Sequence, residues 1–354
     1  MALHESSIND YLRSSLTIAR HHFEEWAQSQ HPIDLYSSLK HLFNEILIRQ
    51  FFGIAEDDLG SKQRISALIQ THFRGANAVP VKVNVLGINN TYTRSQNAFE
   101  ELCQTAAAFL LEMMQCPTPT DCTDPKTFIE RVGDKLVSIH ASSALVDEAA
   151  RHLVLFSSSI VNKCLASLST SLLCAWFSNK DIYEGVAAEV FAALRDDADL
   201  FTSATHLSQL RILRQSLLEV QRLHPPLIGV CRGIVNVTDN AKPVMIGEHR
   251  IDPKYKLWMC MALANRDKDV FGDDAEQMRC SRWDEVPERN LAFGHGPRHC
   301  VGHVLVLPLV SSICADIMFG GQYRLEPEDL QCSNMKRLPV QRPKEPFSVD
   351  VHKL

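Results

Sequence analysis

The sequence predicts a mainly α fold with small β regions. Three observations carry that prediction. Apolar residues recur at helical spacing through most of the chain, a turn-centred alternation of β-branched residues occupies the segment around 228–258, and short strands follow Gly320-Gly321.

Helical periodicity runs through residues 8–26, 35–52, 65–73 and 95–114. Prolines at 117, 119 and 125 break it, because proline fixes φ and lacks a donor. It resumes over 128–140, 145–177, 182–195 and 207–223, and Pro225-Pro226 ends the last of these. Val235-Asn236-Val237-Thr238 and Val244-Met245-Ile246 then flank Asp239-Asn240, a turn-bearing β pattern. A final helix is expected from Cys300 to Met318, with Pro308 awkward inside it. No internal repeat or linker divides the chain, so residues 1–354 are expected to form a single domain.

With 354 residues the chain can bury a large core, and 45% hydrophobic with 22% charged residues is ordinary globular material. A net charge of −6 and the lack of a basic run argue against nucleic acid as a partner. Met1-Ala2-Leu3-His4-Glu5-Ser6 does not open a secretory signal, and the 11 scattered cysteines form no Cys-x-x-Cys. A reducing, cytoplasmic setting without structural zinc is the expectation. Residues 153–177 are apolar and long enough to span a bilayer. Lys163, Asn162 and several serines instead predict a helix buried through the protein's centre, with no transmembrane segment.

Chemistry concentrates in Phe293-Gly294-His295-Gly296-Pro297-Arg298-His299-Cys300-Val301-Gly302. A sulfur at the start of a helix faces the positive end of the macrodipole, where an anion is stabilised. Glycines allow tight turning and close approach to a bulky partner, and an upstream arginine can pair with a carboxylate. Such a loop can hold sulfur beneath a flat anionic cofactor, and thiolate is one known axial ligand of haem iron. A lone cysteine would more simply be a small buried hydrophobe. The full spacing Phe-Gly-x-Gly-x-Arg-x-Cys-x-Gly reverses that weighting and resembles the haem-binding signature of the cytochrome P450 family.

The resemblance extends upstream to Glu219-Val220-Gln221-Arg222-Leu223-His224-Pro225-Pro226, where Glu219 and Arg222 share a helical face. In the family this pair is joined by an arginine from the segment before the thiolate loop. Arg282 is the matching position, without the usual Pro-x-Arg context. Leu207–Leu213, Ala264–Phe271 and Leu338-Pro339-Val340 also look like family segments. The proximal haem region is thereby expected over about 207–320 and the distal helix over about 145–177. The resemblance implies haem b with Cys300 as axial iron ligand and Arg298 and Arg232 holding propionates. Phe293, Gly294, Gly296 and Gly302 would shape the cofactor loop, and Glu219, Arg222 and Arg282 its supporting network. His295, His299 and His303 are read as propionate, solvent or packing contacts, and His72 and Arg74 fall where the family has its substrate roof.

Two departures limit what the resemblance implies. The segment 10–26 looks like a helix that in the family follows a sheet and several helices. The expected fold is therefore a P450 fold lacking the usual N-terminal sheet and first helices, either compact by nature or shortened. Membrane association would follow if an N-terminal anchor had been lost. Second, oxygen-activating relatives carry an acid and a threonine in the distal helix, which order water for proton delivery. Here Ile160 and Val161 align with that pair, and neither can relay a proton. Ser158, Ser159 or Asn162 are the candidate replacements, with Ser159 and Asn162 favoured.

The expected function is thus a haem-thiolate monooxygenase hydroxylating a hydrophobic small molecule. It would receive electrons from NADPH through a reductase, or from a ferredoxin. The alternatives are an isomerase-type enzyme rearranging a hydroperoxide without activating dioxygen, and an inactive remnant.

Overall fold

The computed structural model describes residues 5–55, 57–75, 78, 80–81, 84–85, 88–115, 125–233, 244–252, 255–285, 290–328, 335–338 and 340–354. The loop expected around 117–125 falls almost wholly outside these residues. Leu86-Gly87, Val235–Asn240 and Pro339 also lie outside them.

Helices dominate, as the periodicity predicts. In the first half they are α1 (Glu5–Ala27), α2 (Leu35–Phe52), α3 (Leu59–Gly75), α4 (Thr91–Gln115), α5 (Phe128–Ser138) and α6 (Ser143–Phe156). There follow α7 (Ser159–Ser178), α8 (Lys180–Asp196), α9 (Ala204–Gln209) and α10 (Arg211–Leu223). The short α11 (Met261–Ala264), α12 (Lys268–Phe271) and α13 (Arg282–Glu285) precede the long α14 (His303–Phe319). Local chemistry sets several ends. Thr127 and Glu130 form a reciprocal capping box on α5, and Gly53 ends α2 in the left-handed region at φ 67°.

The strands are small and antiparallel. They are β1 (Ile33–Asp34), β2 (Asn84–Val85), β3 (Ile88–Asn89), β4 (Val230–Gly233), β5 (Val244–Ile246), β6 (His249–Ile251) and β7 (Lys256–Met259). The tail supplies β8 (Tyr323–Pro327), β9 (Met335–Lys336), β10 (Arg342–Pro343) and β11 (Ser348–Lys353). β11 lies between β1 and β8, which ties the tail to the start of α2. In the predicted β region β4 pairs with β7, Val230 facing Met259, and β5 pairs with β6.

Two expected helices are each divided. Residues 145–177 form α6 and α7, separated at Ser157-Ser158, where Ser158 is extended at ψ 140°. The Ser157 hydroxyl donates to the Val154 carbonyl, the local bond by which serine competes with helical continuation. Residues 207–223 form α9 and α10, separated at Leu210. The Glu189 carboxylate on α8 accepts from Ile212 N at 2.9 Å and Leu213 N at 3.0 Å, satisfying donors that the new helix start leaves open. Pro308 sits in the second turn of α14, which continues through it at the cost of one backbone bond.

The core explains the central apolar segment. Leu165, Leu168, Leu172, Leu173 and Trp176 of α7 are buried with residues of α1, α2, α10 and α14. Burial of side chains of this size contributes roughly 1.5–3 kcal/mol each. A second cluster gathers the end of α2 with α3, α4, α5 and α6, and Val161 packs against both. The α6–α7 segment is long and apolar enough to cross a membrane by length and composition, and 72% of its apolar window is buried within the protein. Seven described cysteines are free thiols, whereas Cys174 is disulfide-bonded, which the scatter of cysteines did not predict.

Candidate active site

The polar centre of the site lies under α10. Glu219, Arg222 and Arg282 are each fully buried. Arg222 reaches Glu219 with a fork, Nε at 2.9 Å and Nη2 at 2.7 Å, and Arg282 Nε joins Glu219 at 3.3 Å. Arg279 N adds a fourth donor at 3.0 Å. Further guanidinium donors go from Arg222 to the carbonyls of Asn265 and Gln277, and from Arg282 to the Asp274 carbonyl at 2.9 Å and the Asp274 carboxylate at 2.8 Å. Breaking such a buried, hydrogen-bonded network is expensive, because each charge is left without water. Arg282 therefore belongs to the network despite its altered local sequence.

This network positions the thiolate loop through residues that the sequence reading missed. Asn265 is fully buried and donates to Asn290 at 3.1 Å, while its Oδ1 accepts from Leu291 N at 2.9 Å. Asn290 in turn donates to Gln221 on α10 at 3.2 Å. A hydrogen-bonded chain thus runs from α10 to the residues entering the loop. The available signal was Gln221 lying between Glu219 and Arg222, and Asn265 within the quoted segment 264–271.

The loop itself turns on Gly294 at φ 75° and Gly296 at φ 71°, conformations that disfavour any side chain. Cys300 N closes it by donating to Phe293 O at 2.9 Å. The Cys300 sulfur lies within van der Waals reach of a side-chain position at Gly302, at 3.9 Å. His303 Nδ1 sits 2.8 Å from Cys300 O; since a carbonyl only accepts, Nδ1 carries the proton. His303 also packs 4.4 Å from the His299 ring and 6.1 Å from Phe293, in a structural role.

Cys300 opens onto a cavity of about 290 Å³. Its floor is Phe293, Gly294, Arg298 and Cys300. One side is Pro226, Leu227, Val230 and Arg232. The opposite wall is α7 through Ile160, Val161, Cys164, Leu165 and Leu168. The spacing i, i+1, i+4, i+5, i+8 is one helical face. The edge beside Pro226 is held from the C-terminal hairpin, where Gln341 N donates to Pro226 O at 2.8 Å and Gln341 Nε2 to His224 Nδ1 at 3.1 Å. Burial holds the His224 pKa down at about 4, with Arg266, Arg337 and Arg222 adding to the effect.

The wall corrects the distal expectation. Asn162 does not face the cavity; its Nδ2 donates to Asn44 Oδ1 on α2 at 3.2 Å. Ser159 is buried beside the helix start and does not line the cavity either. The period of 3.6 turns Asn162 to the other side of α7. Ile160 and Val161 do face the cavity, and the residue missed is Cys164. Its thiol is the hydrogen-bond donor that α7 presents there, a weak one. Burial first, then the neighbouring Cys300, pushes its pKa up to about 12.

The donor set fits haem b. The cavity is apolar except for the thiols of Cys164 and Cys300, the guanidiniums of Arg232 and Arg298 and the Gln221 amide. Arg298 has no carboxylate partner among the described residues, and Arg232 donates to its neighbour Cys231 O. Gln221 also lines the cavity, and its buried Nε2 has no partner. A flat apolar macrocycle with two carboxylates and a metal that accepts sulfur matches these groups. Among competing thiols, burial pushes Cys280 and Cys314 up to about 12 and Cys103 to about 11, so they are poor ligands.

Comparison with known proteins decides the family. The sequence model described as Cytochrome P450 matches residues 2–349. The chain belongs to the cytochrome P450 family. Echinocystic acid 23-monooxygenase of Saponaria officinalis is 25% identical over 300 residues, covering 78% of this chain and 54% of that protein. Cytochrome P450 monooxygenase gsfF of Penicillium aethiopicum is 32% identical over 136 residues, 36% of this chain and 26% of its own length. Alkane hydroxylase MAH1 of Arabidopsis thaliana is 30% identical over 139 residues, 37% and 27% of the two chains. This P450 chain thus matches between about a quarter and about half of the length of these relatives. The solved structure of retinoic acid bound cyanobacterial CYP120A1 superposes with a TM-score of 0.71 at 18% identity, covering 98% of this chain and 75% of that one. That likeness is one of fold. Membership in the family implies haem.

Proposed function

We propose that this P450 is a haem-thiolate monooxygenase that hydroxylates a hydrophobic small molecule. The observation carrying the proposal is the Cys300 sulfur facing an apolar α7 wall across one cavity, with Arg232 and Arg298 at its sides. Cys300 would ligate the iron, Arg232 and Arg298 would hold the two carboxylates, and Phe293 would shield the sulfur. Bound haem supplies dioxygen activation, and a thiolate ligand favours O–O cleavage by donating electron density.

The chain's own residues orient substrate and control water. Ile160, Val161, Leu165 and Leu168 exclude solvent and offer an apolar surface to a hydrocarbon. Cys164 holds its proton on sulfur and can order one water rather than release an acid proton. Backbone N–H groups near Gly302 and the Phe293 ring would tune the sulfur. Electrons would come from NADPH through a reductase, or from a ferredoxin.

The missing carboxylate on the α7 wall favours a second reading, rearrangement of a hydroperoxide, which needs no external proton delivery. The experiment supplies NADPH and a surrogate reductase to the haem-loaded protein and follows substrate-dependent NADPH consumption with a hydroxylated product. Turnover of a fatty-acid hydroperoxide without reductase, and no NADPH-dependent product, would replace the monooxygenase with the rearrangement enzyme. A folded protein that purifies without haem would overturn both.

A further inference from the structure

The helix α14 lines two cavities. Val306 belongs to the wall of the one that Cys300 opens onto, while Val304, Leu307, Pro308 and Ser311 line a second. Their spacing, i, i+3, i+4 and i+7, is one helical face. The second cavity measures about 260 Å³ and shares no lining residue with the first. Leu207 of α9 and Leu217 and Leu218 of α10 complete its apolar wall.

Two polar groups on the α14 face are left open. Pro308 has no N–H, so the Val304 carbonyl loses its helical donor, and this carbonyl lies on the strip between two residues that line the cavity. Ser311 is only 6% exposed and lines the same cavity, and its hydroxyl has no partner among the described residues. The neighbouring Ser312 hydroxyl, by contrast, donates to Phe201 O at 2.6 Å. Other polar groups on the wall are already engaged. The Ser208 hydroxyl donates to Thr205 O and His303 Nδ1 to Cys300 O, and Arg214 is exposed with an interaction of its own.

These two groups define the guest. A carbonyl only accepts, whereas a hydroxyl both donates and accepts. One hydroxyl on the guest therefore satisfies both, donating to Val304 O and accepting from Ser311. A carboxylate would set its charge against the carbonyl oxygen, and a pure hydrocarbon would leave both groups unpaired. The leucine wall asks for an apolar body behind that hydroxyl.

We propose that this second cavity binds a neutral, compact apolar molecule bearing one hydroxyl, an alkylphenol or alcohol, seated by Ser311 and the Val304 carbonyl. The site is independent of the reaction proposed for the Cys300 cavity. His303 on its wall places the guest against the residue bonded to Cys300 O.

Calorimetric titration of the haem-loaded protein with 4-propylphenol and propylbenzene tests it. The phenol should bind about fivefold more tightly, the scale of one neutral hydrogen bond. Pro308→Ala returns a helical donor to the Val304 carbonyl, and Ser311→Ala removes the hydroxyl. Each should take away most of the fivefold preference and leave propylbenzene unchanged. Leu307→Trp, which fills the cavity, should abolish this binding of both compounds. Val161→Phe, on the wall of the Cys300 cavity, should keep the preference intact. The haem absorbance and unfolding midpoint of Ser311→Ala should match the parent. Equal affinity of the parent for phenol and hydrocarbon, as expected if water alone serves these groups, would overturn the proposal. So would a preference that survives both Pro308→Ala and Ser311→Ala, or one that Val161→Phe removes, which would put the phenol in the Cys300 cavity.

Discussion

On one side of the cavity, α10 and the loop leading to Cys300 are locked by polar groups. Glu219 accepts from three arginines, and Asn265, Asn290 and Gln221 relay that order to the loop. On the other side, α7 offers an apolar face with one thiol. The first side is held by directional polar bonds, which suits the fixed cofactor proposed for it. The second contains few directional bonds, so its residues can vary with the molecule they cover. The contrast teaches that in this P450 the Cys300 side and the α7 side of the cavity answer to different physics, directional polar satisfaction against apolar shape.

Breaking the polar side should have the largest effect. Arg222→Ala leaves Glu219 buried and short of its best partner, which should cost about 3–5 kcal/mol in denaturant unfolding. Arg222→Lys should recover little, since a single ammonium cannot reproduce the planar fork. Cys164→Ala, on the α7 wall, should change stability far less. A cost for Cys164→Ala equal to that of Arg222→Ala would erase the contrast.

Acid should act next, through the edge where the two sides meet. His224 titrates at about 4 when folded against 6.5 as a free side chain. Between those values the unfolded chain takes up a proton that the folded one refuses, so stability falls as pH drops from 6.5 toward 4. The loss should be about 3 kcal/mol across that window. His224→Gln should flatten the curve there; an unchanged slope would show that other groups carry it.

Smaller effects sharpen the same picture. Gly296→Ala meets no neighbouring atom and should cost only the left-handed backbone penalty, about 1–2 kcal/mol, with weaker haem retention. Trp176→Phe removes the 3.1 Å bond from α7 to Ser216 on α10 and should cost about 1 kcal/mol in the same unfolding assay.

The ligand side was legible because its residues lie at fixed offsets along short stretches. Cys300, Arg298 and the two turning glycines fall within one loop, and Glu219 and Arg222 within one turn. Arg282 was found by position despite its altered context. The α7 wall was legible only through the period of 3.6, which groups Ile160, Val161, Cys164, Leu165 and Leu168. Asn162 carries the amide but lies off that face, bonded to Asn44. The divisions at Ser157-Ser158 and Leu210 were hidden because they depend on a hydroxyl–carbonyl bond and on Glu189 from another helix.

The carbon-monoxide difference spectrum of the reduced protein tests the central claim most directly, that Cys300 presents the axial sulfur. The parent protein, Cys280→Ala and Cys164→Ala should all give the thiolate-type absorption, and Cys300→Ala should lose it. Survival of that absorption in Cys300→Ala, or its loss in Cys280→Ala, would contradict the account.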